Sequence, residues 1–200
     1  MVSVILLAAG ESRRMGRNNK LLLKYKGIYL IEHILKQLSA FNLREIILVT
    51  GHQSKKLEAA LSRHHLKIVH NEDYKEGMTT SIQKGVASTL SDTNGFLIAL
   101  SDQPLLPKKV IRRLLNAFLE VSSVTDKSII VPTVNGLYYN PVIFSAHYKK
   151  EILESKEMNG CKPIIIKNID CVVEVEFESD NLFKDIDNPE EYADLKRLET

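Results

Sequence analysis

The chain has 200 residues, 44% of them apolar and 26% charged, with no tryptophan and a formal net charge of +2. That composition excludes a disordered or fibrous chain, and the length suits one domain able to bury a core on both faces of a sheet. The basic residues are spread along the chain instead of gathered in a block, which argues against a nucleic-acid partner and leaves small anions as the expected ligands.

In chain order, "VSVILLAA" is too short to span a bilayer and has no basic segment before it, so it reads as a core strand and no membrane partner is expected. It breaks into the loop "GESRRMGRNNK". Next, "LIEHILKQLSAF" places Leu30, Ile31, Ile34, Leu35 and Leu38 on one helical face. Strand runs follow at "EIILVT", "LKIVH", "GFLIAL", "SIIVPTV", "PVIFS" and "VVEVEF". Between them, "KKLEAALSRHH", "KVIRRLLNAFLEV" and "HYKKEILES" have helical spacing, and "EGMTTS" reads as a helix start. A turn stands at Asn135 and Gly136, "NGCKPIIIKN" is a glycine and basic segment, and "DIDNPEEY" precedes a last helix. The alternation predicts an α/β fold with crossover helices on a mostly parallel sheet. Cys161 and Cys171 give no disulfide framework, CxxC pair or zinc spacing, and they read as reduced structural thiols of a cytoplasmic protein. The six histidines, His64 and His65 among them, show no metal-binding pattern.

Open α/β sheets gather ligands at the carboxyl ends of their strands, where helix N-termini point N–H groups inward. The first such loop is neither a Walker A element nor a GxGxxG fingerprint. Gly10 and Gly16 allow backbone donors to converge on an oxyanion, Ser12 adds a hydroxyl, and Arg13, Arg14, Arg17 and Lys20 add positive charge. Arginine suits a bidentate grip on a non-reacting phosphate and lysine a point charge where charge develops, so Arg14 and Lys20 take those roles. The plainer alternative is a solvated basic turn, which is how Arg13 and Arg17 are read. Asp102, at the tip of a buried strand, is either a Mg2+ ligand or a turn residue before Pro104. Asp185 and Asp187 offer a second acid; there the alternative is a helix N-cap.

"LLAAGESRRMGRNNKLL" resembles the LAAGxSxRMGxxK signature of the molybdenum cofactor cytidylyltransferases and their guanylyltransferase relatives. "NEDYKEGMTTSIQKG", "LSDQPLL", "NPVIFS" and "DIDNPEEY" resemble further blocks of that family, in order. The resemblance implies a Rossmann-like three-layer nucleotidyltransferase fold with a mostly parallel central sheet, and transfer of a nucleoside monophosphate from an NTP to a phosphorylated acceptor with loss of pyrophosphate. It implies one domain over residues 1–200, with the part up to about residue 125 binding NTP and residues 126–200 forming an acceptor lobe. Ala8, Ala9, Gly10, Glu11 and Ser12 would surround the nucleotide, with Arg14 on the β- and γ-phosphates and Lys20 on the α-phosphate. Gly77 and Ser81 would meet base and ribose, and Asp102 with Asp187 would hold Mg2+. Ala9 stands where guanylyltransferase-like members have glycine and so points to CTP, with other NTPs open. Asn140 and Lys162 would face the acceptor, although Asn140 replaces the usual histidine and Tyr138-Tyr139 an arginine-glycine pair. The implied acceptor is molybdopterin, with molybdenum hydroxylase apoenzymes as further partners; the alternatives are a sugar or polyol phosphate acceptor, and a nucleotide-binding regulatory module without turnover.

Overall fold

The computed structural model describes residues 1–16, 19–64 and 66–198, so Arg17 and His65 lie outside the described residues. β1 (Val2–Ala8) is buried at all seven positions and runs through the middle of the sheet, parallel to β4 (Glu45–Thr50) on one side and β6 (Gly95–Leu100) on the other. A parallel strand covered by helices on both faces has no polar side, which is why these strands read as unbroken apolar runs. β5 (Lys67–His70) extends the sheet beyond β4. Beyond β6 lie β9 (Val142–Ser145), antiparallel to both its neighbours, then β7 (Ile129–Val134) and β10 (Val172–Glu176), which are parallel to each other. β8 (Leu137–Tyr138) returns from β7 through the Asn135-Gly136 turn, where both residues have positive φ. The order is β10-β7-β9-β6-β1-β4-β5, so all seven strand runs read from the sequence are strands of one sheet.

Helices cover both faces. On one, α1 (Leu30–Leu38), α2 (Ser54–Ala60) and α4 (Lys108–Ser122) supply Ile31, Ile34, Leu57, Val110 and Phe118 to the larger core cluster. The five apolar residues foreseen on α1 are all buried, each worth roughly 1.5–3 kcal/mol relative to exposure. On the other face, α3 (Met78–Ala87), α5 (Lys149–Glu154) and α6 (Lys162–Lys167) supply Ile82, Val86, Ile152, Ile164 and Ile165. The three layers and mostly parallel sheet are those expected. No helix among the described residues is long and apolar enough to cross a membrane, and both cysteines are free thiols.

Two elements had no counterpart in the sequence reading. The hairpin β2 (Lys24–Tyr25) and β3 (Ile28–Tyr29) has only two residues per strand, too few to show alternation. α6 lies inside the segment read as glycine-rich and basic; Pro163 stands in its first turn, where a missing N–H costs nothing.

A third, smaller cluster matters most for the site. α7 (Pro189–Arg197) packs Leu195, with Ile186 just before the helix, against Tyr25 and Leu30, and the Tyr192 hydroxyl donates to the Lys24 carbonyl at 2.7 Å. Between these anchors the Ile186 N–H donates to the Asp102 carbonyl at 2.9 Å. The carboxy-terminal segment is thereby fastened across the end of β6. The connection after β1 leads to β4 on one side, while β6 lies on the other, so the crevice between β1 and β6 is the switch point where such sheets bind ligands.

Candidate active site

The first loop is held by its own turns. Ser12 adopts a left-handed conformation (φ 53°) and starts a 3-10 turn, Arg13–Met15, whose Met15 side chain is buried. Gly16 closes that turn at φ 68° and ψ −124°, a conformation that favours glycine. A second 3-10 turn, Lys20–Leu22, is capped by Asn19 accepting from the Leu21 N–H at 3.1 Å. The Lys20 N–H donates to the Ser12 hydroxyl at 3.3 Å, folding the second turn back onto the first. At Gly10 a β-carbon would meet nothing within 4 Å, so the chain's own packing leaves the space above it open.

Opposite stands the end of β6. The Ser101 hydroxyl donates to the Leu7 carbonyl at 2.5 Å, clamping β6 to β1 and fixing Asp102 over the loop. The Lys20 Nζ lies 2.6 Å from Asp102 Oδ2 and 2.6 Å from Asp187 Oδ1, and Arg14 Nη2 lies 2.6 Å from Asp187 Oδ2. Asp187 does not cap α7: Asn188 does, accepting from the Glu190 and Glu191 N–H groups, while the Asp187 N–H donates to Glu191. The helix-cap alternative therefore falls to its neighbour, and the Asp187 carboxylate faces the cations. These residues surround a cavity of about 330 Å³, which Ala8, Gly10, Glu11 and Ser12 also line.

The electrostatics follow from partial burial. Burial alone would push the Lys20 ammonium down, but Asp102 and Asp187 outweigh it and its pKa is raised, so it stays charged. Burial alone would push the Asp187 carboxyl up, but Lys20 and Arg14 hold it below the usual carboxylate range. At Asp185 burial, with Asp102 and Asp187 nearby, outweighs Gln103 and Lys20 and pushes the pKa up to about 6. Asp102 Oδ1 is buried and accepts no hydrogen bond from the described residues, while its Oδ2 already faces one cation. An unpaired carboxylate oxygen beside a second carboxylate fits a hard divalent cation, which takes few acids when phosphate and water complete its shell. Among the described residues no group of three or more His, Cys, Asp or Glu is arranged to hold a metal ion.

The remaining candidates divide. Ala9 is buried beside this cavity; its carbonyl accepts the His52 N–H at 3.1 Å and stands 2.8 Å from where a β-carbon would lie at Gly51. Glu11 is ion-paired with Arg13, whose side chain is well exposed yet also lines this cavity. Gly77 and Ser81 do not line this cavity. At Gly77 (φ 117°) the place of a β-carbon is filled by the Met158 carbonyl, 2.6 Å away, and the buried Ser81 hydroxyl accepts from Asn71 Nδ2 at 2.9 Å. Asn71, at the carboxyl end of β5, and Ser101 lie in the blocks "NEDYKEGMTTSIQKG" and "LSDQPLL", but the sequence assigned neither of them a role. Asn140 and Lys162 do come together, in a second cavity of about 670 Å³ that Tyr138 and Tyr139 also line. Neither half of the chain builds its cavity alone: Asp187 reaches the first, while Ile82 and Ile98 line the second.

With the geometry in place, comparison with known proteins is decisive: residues 4–172 match the MobA-like NTP transferase domain. The chain belongs to that family. Its activity class is nucleotidyl transfer. The chain is 26% identical over 200 residues to the molybdenum cofactor cytidylyltransferase of Escherichia coli, covering 100% of this chain and 97% of that one. It is 28% identical over 204 residues to the molybdenum cofactor guanylyltransferase of Vibrio campbellii, covering 99% and 96%. In fold it is similar to Rv0371c of Mycobacterium tuberculosis, with a TM-score of 0.84, 22% identity and 98% of each chain covered. A manganese complex of that mycobacterial protein has the same fold, with a TM-score of 0.77, 20% identity and 98% of each chain covered.

Proposed function

We propose that the protein transfers CMP from CTP to the terminal phosphate of a molybdopterin-type cofactor, releasing pyrophosphate. The observation that carries this reading is the Lys20 ammonium held between Asp102 and Asp187, across the switch-point crevice from the open Gly10. A triphosphate brings several negative charges to one place, and its reaction asks for positioning and neutralisation more than for covalent help.

In this reading the backbone from Ala8 to Ser12 surrounds the triphosphate, Arg14 steadies the β- and γ-phosphates, and Lys20 faces the α-phosphate. An acceptor phosphate oxygen attacks the α-phosphorus, the bond from the α-phosphorus to the bridging oxygen breaks, and pyrophosphate leaves with the electron pair. Lys20, kept as an ammonium by Asp102 and Asp187, brings a positive charge to where negative charge gathers. Asp102 and Asp187 would hold Mg2+, which when bound supplies positive charge to phosphate oxygens. Support for a divalent cation comes from the unpaired Asp102 Oδ1 and from the manganese complex of the mycobacterial fold relative.

Ala9 supports CTP as donor, and the full-length similarity to a cytidylyltransferase agrees; identity alone does not choose the base, since the guanylyltransferase is as similar. The second cavity, with Asn140 and Lys162, supports an acceptor site in which Lys162 meets the acceptor phosphate. The same plan would serve a sugar or polyol phosphate. A module without turnover has no call on Arg14, Lys20 and Asp102 in one cavity. The test is pyrophosphate release from CTP, GTP and ATP with Mg2+ and either molybdopterin or methylerythritol phosphate. Release with CTP and molybdopterin is expected; release with the polyol phosphate alone would transfer the reading to that acceptor, and nucleotide binding without release for any acceptor would make the protein a binding module.

A further inference from the structure

Just past β6, consecutive residues tie this end of the strand in different directions. The Ser101 hydroxyl bonds the Leu7 carbonyl of β1, the Asp102 carbonyl accepts from the Ile186 N–H at 2.9 Å, and Gln103 Nε2 donates to the Phe183 carbonyl at 3.0 Å. The Gln103 side chain also hydrogen-bonds that of Asp185. Phe183, Asp185 and Ile186 belong to the segment that leads from the 3-10 turn Asp180–Phe183 into α7, and this segment carries Asp187. Residues 184–187 have no regular structure, so their path is set by these bonds and by the anchors at either end. Those anchors are the Phe183 ring, stacked on Tyr139 at 4.9 Å, and Leu195, packed with Leu30.

Gln103 is a costly residue at its position. It is 2% exposed, and its Oε1 accepts no hydrogen bond from the described residues. Leaving a buried acceptor unpaired costs about 1–3 kcal/mol, which a methionine of similar size would avoid. Packing alone does not account for an amide here; its donor, aimed at Phe183 and Asp185, does. The Asp187 carboxylate itself is held in this structure by Lys20 and Arg14. Those are the cations that a triphosphate would draw to itself, so with nucleotide bound the aim of Asp187 depends on how its backbone is tied. The ties are Gln103 and the Ile186 N–H before it, and its own N–H on Glu191 after it. Partners that orient a ligating carboxylate matter in proportion: losing one typically costs about 10–100-fold in metal affinity.

We propose that Gln103 is a positioning residue for the reaction: by holding Phe183 and Asp185 it fixes the segment that aims Asp187 at the divalent cation. Its action is indirect, exerted on the path of the backbone. This rests on the reading of Asp187 as a cation ligand, and it adds the residue that sets the direction of that ligand.

Calorimetric titration of CTP into the intact protein, in Mg2+ and in EDTA, tests this without turnover. Gln103→Met keeps the length of the side chain and removes the donor. It is expected to bind CTP in EDTA within about twofold of wild type, yet to lose most of the roughly tenfold gain that Mg2+ gives wild type. Combined with Asp187→Asn it should cause no further loss, since both changes act through one carboxylate. Should Gln103→Met fail to fold, Gln103→Asn, whose amide is too short to reach the Phe183 carbonyl from the same backbone, carries the same test with the same expected result. A metal dependence left intact in a folded variant, or a loss that adds to that of Asp187→Asn, would overturn the inference. So would equal weakening of CTP in Mg2+ and in EDTA, which is how a merely structural residue behaves. Wild type that binds CTP equally well with and without Mg2+ would instead remove the reading of Asp187 on which the inference stands.

Discussion

The two cavities are built on opposite principles. The first is a mesh of ions: Lys20 between two aspartates, Arg14 on one of them, and Glu11 on Arg13. The second is a mostly apolar slot in which Lys162 is the one charged residue among the described residues lining it. Ions at 2.6 Å in partial burial fix positions sharply but are costly to leave unpaired, whereas an apolar slot is set by shape and tolerates variation. In the proposed reading the contrast divides the labour, with charge handled in the first cavity and the body of the acceptor held in the second.

The largest expected effect breaks the comparison on the charged side. Lys20→Ala should lower turnover by about 10²–10³-fold while CTP affinity changes by less than about tenfold, because Lys20 acts where charge develops. Pyrophosphate release set against nucleotide titration checks this, and equal losses in both would reduce Lys20 to a ground-state anion contact.

Next in size is Gly77→Ala. With φ at 117° and the Met158 carbonyl in the place of the β-carbon, this change should cost about 1–3 kcal/mol and lower the melting temperature by several degrees. Thermal unfolding decides it: an unchanged melting temperature with weakened CTP binding would assign Gly77 to the nucleotide alone.

The smallest effect concerns Asp185. A carboxyl whose folded pKa is raised to about 6 binds its proton more tightly when folded, so it favours folding below its unfolded pKa and loses that advantage as pH rises through 6. Asp185→Asn should therefore be more stable than wild type at pH 7–8 by on the order of 1 kcal/mol, after allowance for solvent screening, with the gain vanishing below about pH 4. Denaturant unfolding in EDTA at pH 4 and pH 7.5 measures it, and a gain equal at both values would assign the effect to packing instead.

Much of this was legible in the chain itself. β1, β7 and β9 announced themselves because strands covered on both faces give apolar runs with few interruptions, β10 by its alternation of valine and glutamate, and α1 because its buried positions recur at helical spacing. β2, β3 and α6 were too short or too irregular at their starts to carry a period. Arg14, Lys20, Asp102 and Asp187 could each be chosen from residue type and motif. Their convergence could not, since it depends on Ile186 bonding the Asp102 carbonyl and on Leu195 packing against Leu30. At Gly77 and Ser81 the structure adds what a sequence cannot show: the Met158 carbonyl stands where a β-carbon would lie at Gly77, and the Ser81 hydroxyl accepts from Asn71.

The central claim is that the first cavity holds a nucleoside triphosphate through Asp102, Asp187 and a divalent cation. Calorimetric titration of CTP into wild type and Asp187→Asn, each in Mg2+ and in EDTA, tests it most directly. Wild type should bind CTP at least about tenfold more tightly in Mg2+ than in EDTA, and Asp187→Asn should lose most of that difference. Equal affinity of wild type with and without the metal, or an undiminished metal dependence in Asp187→Asn, would contradict the account.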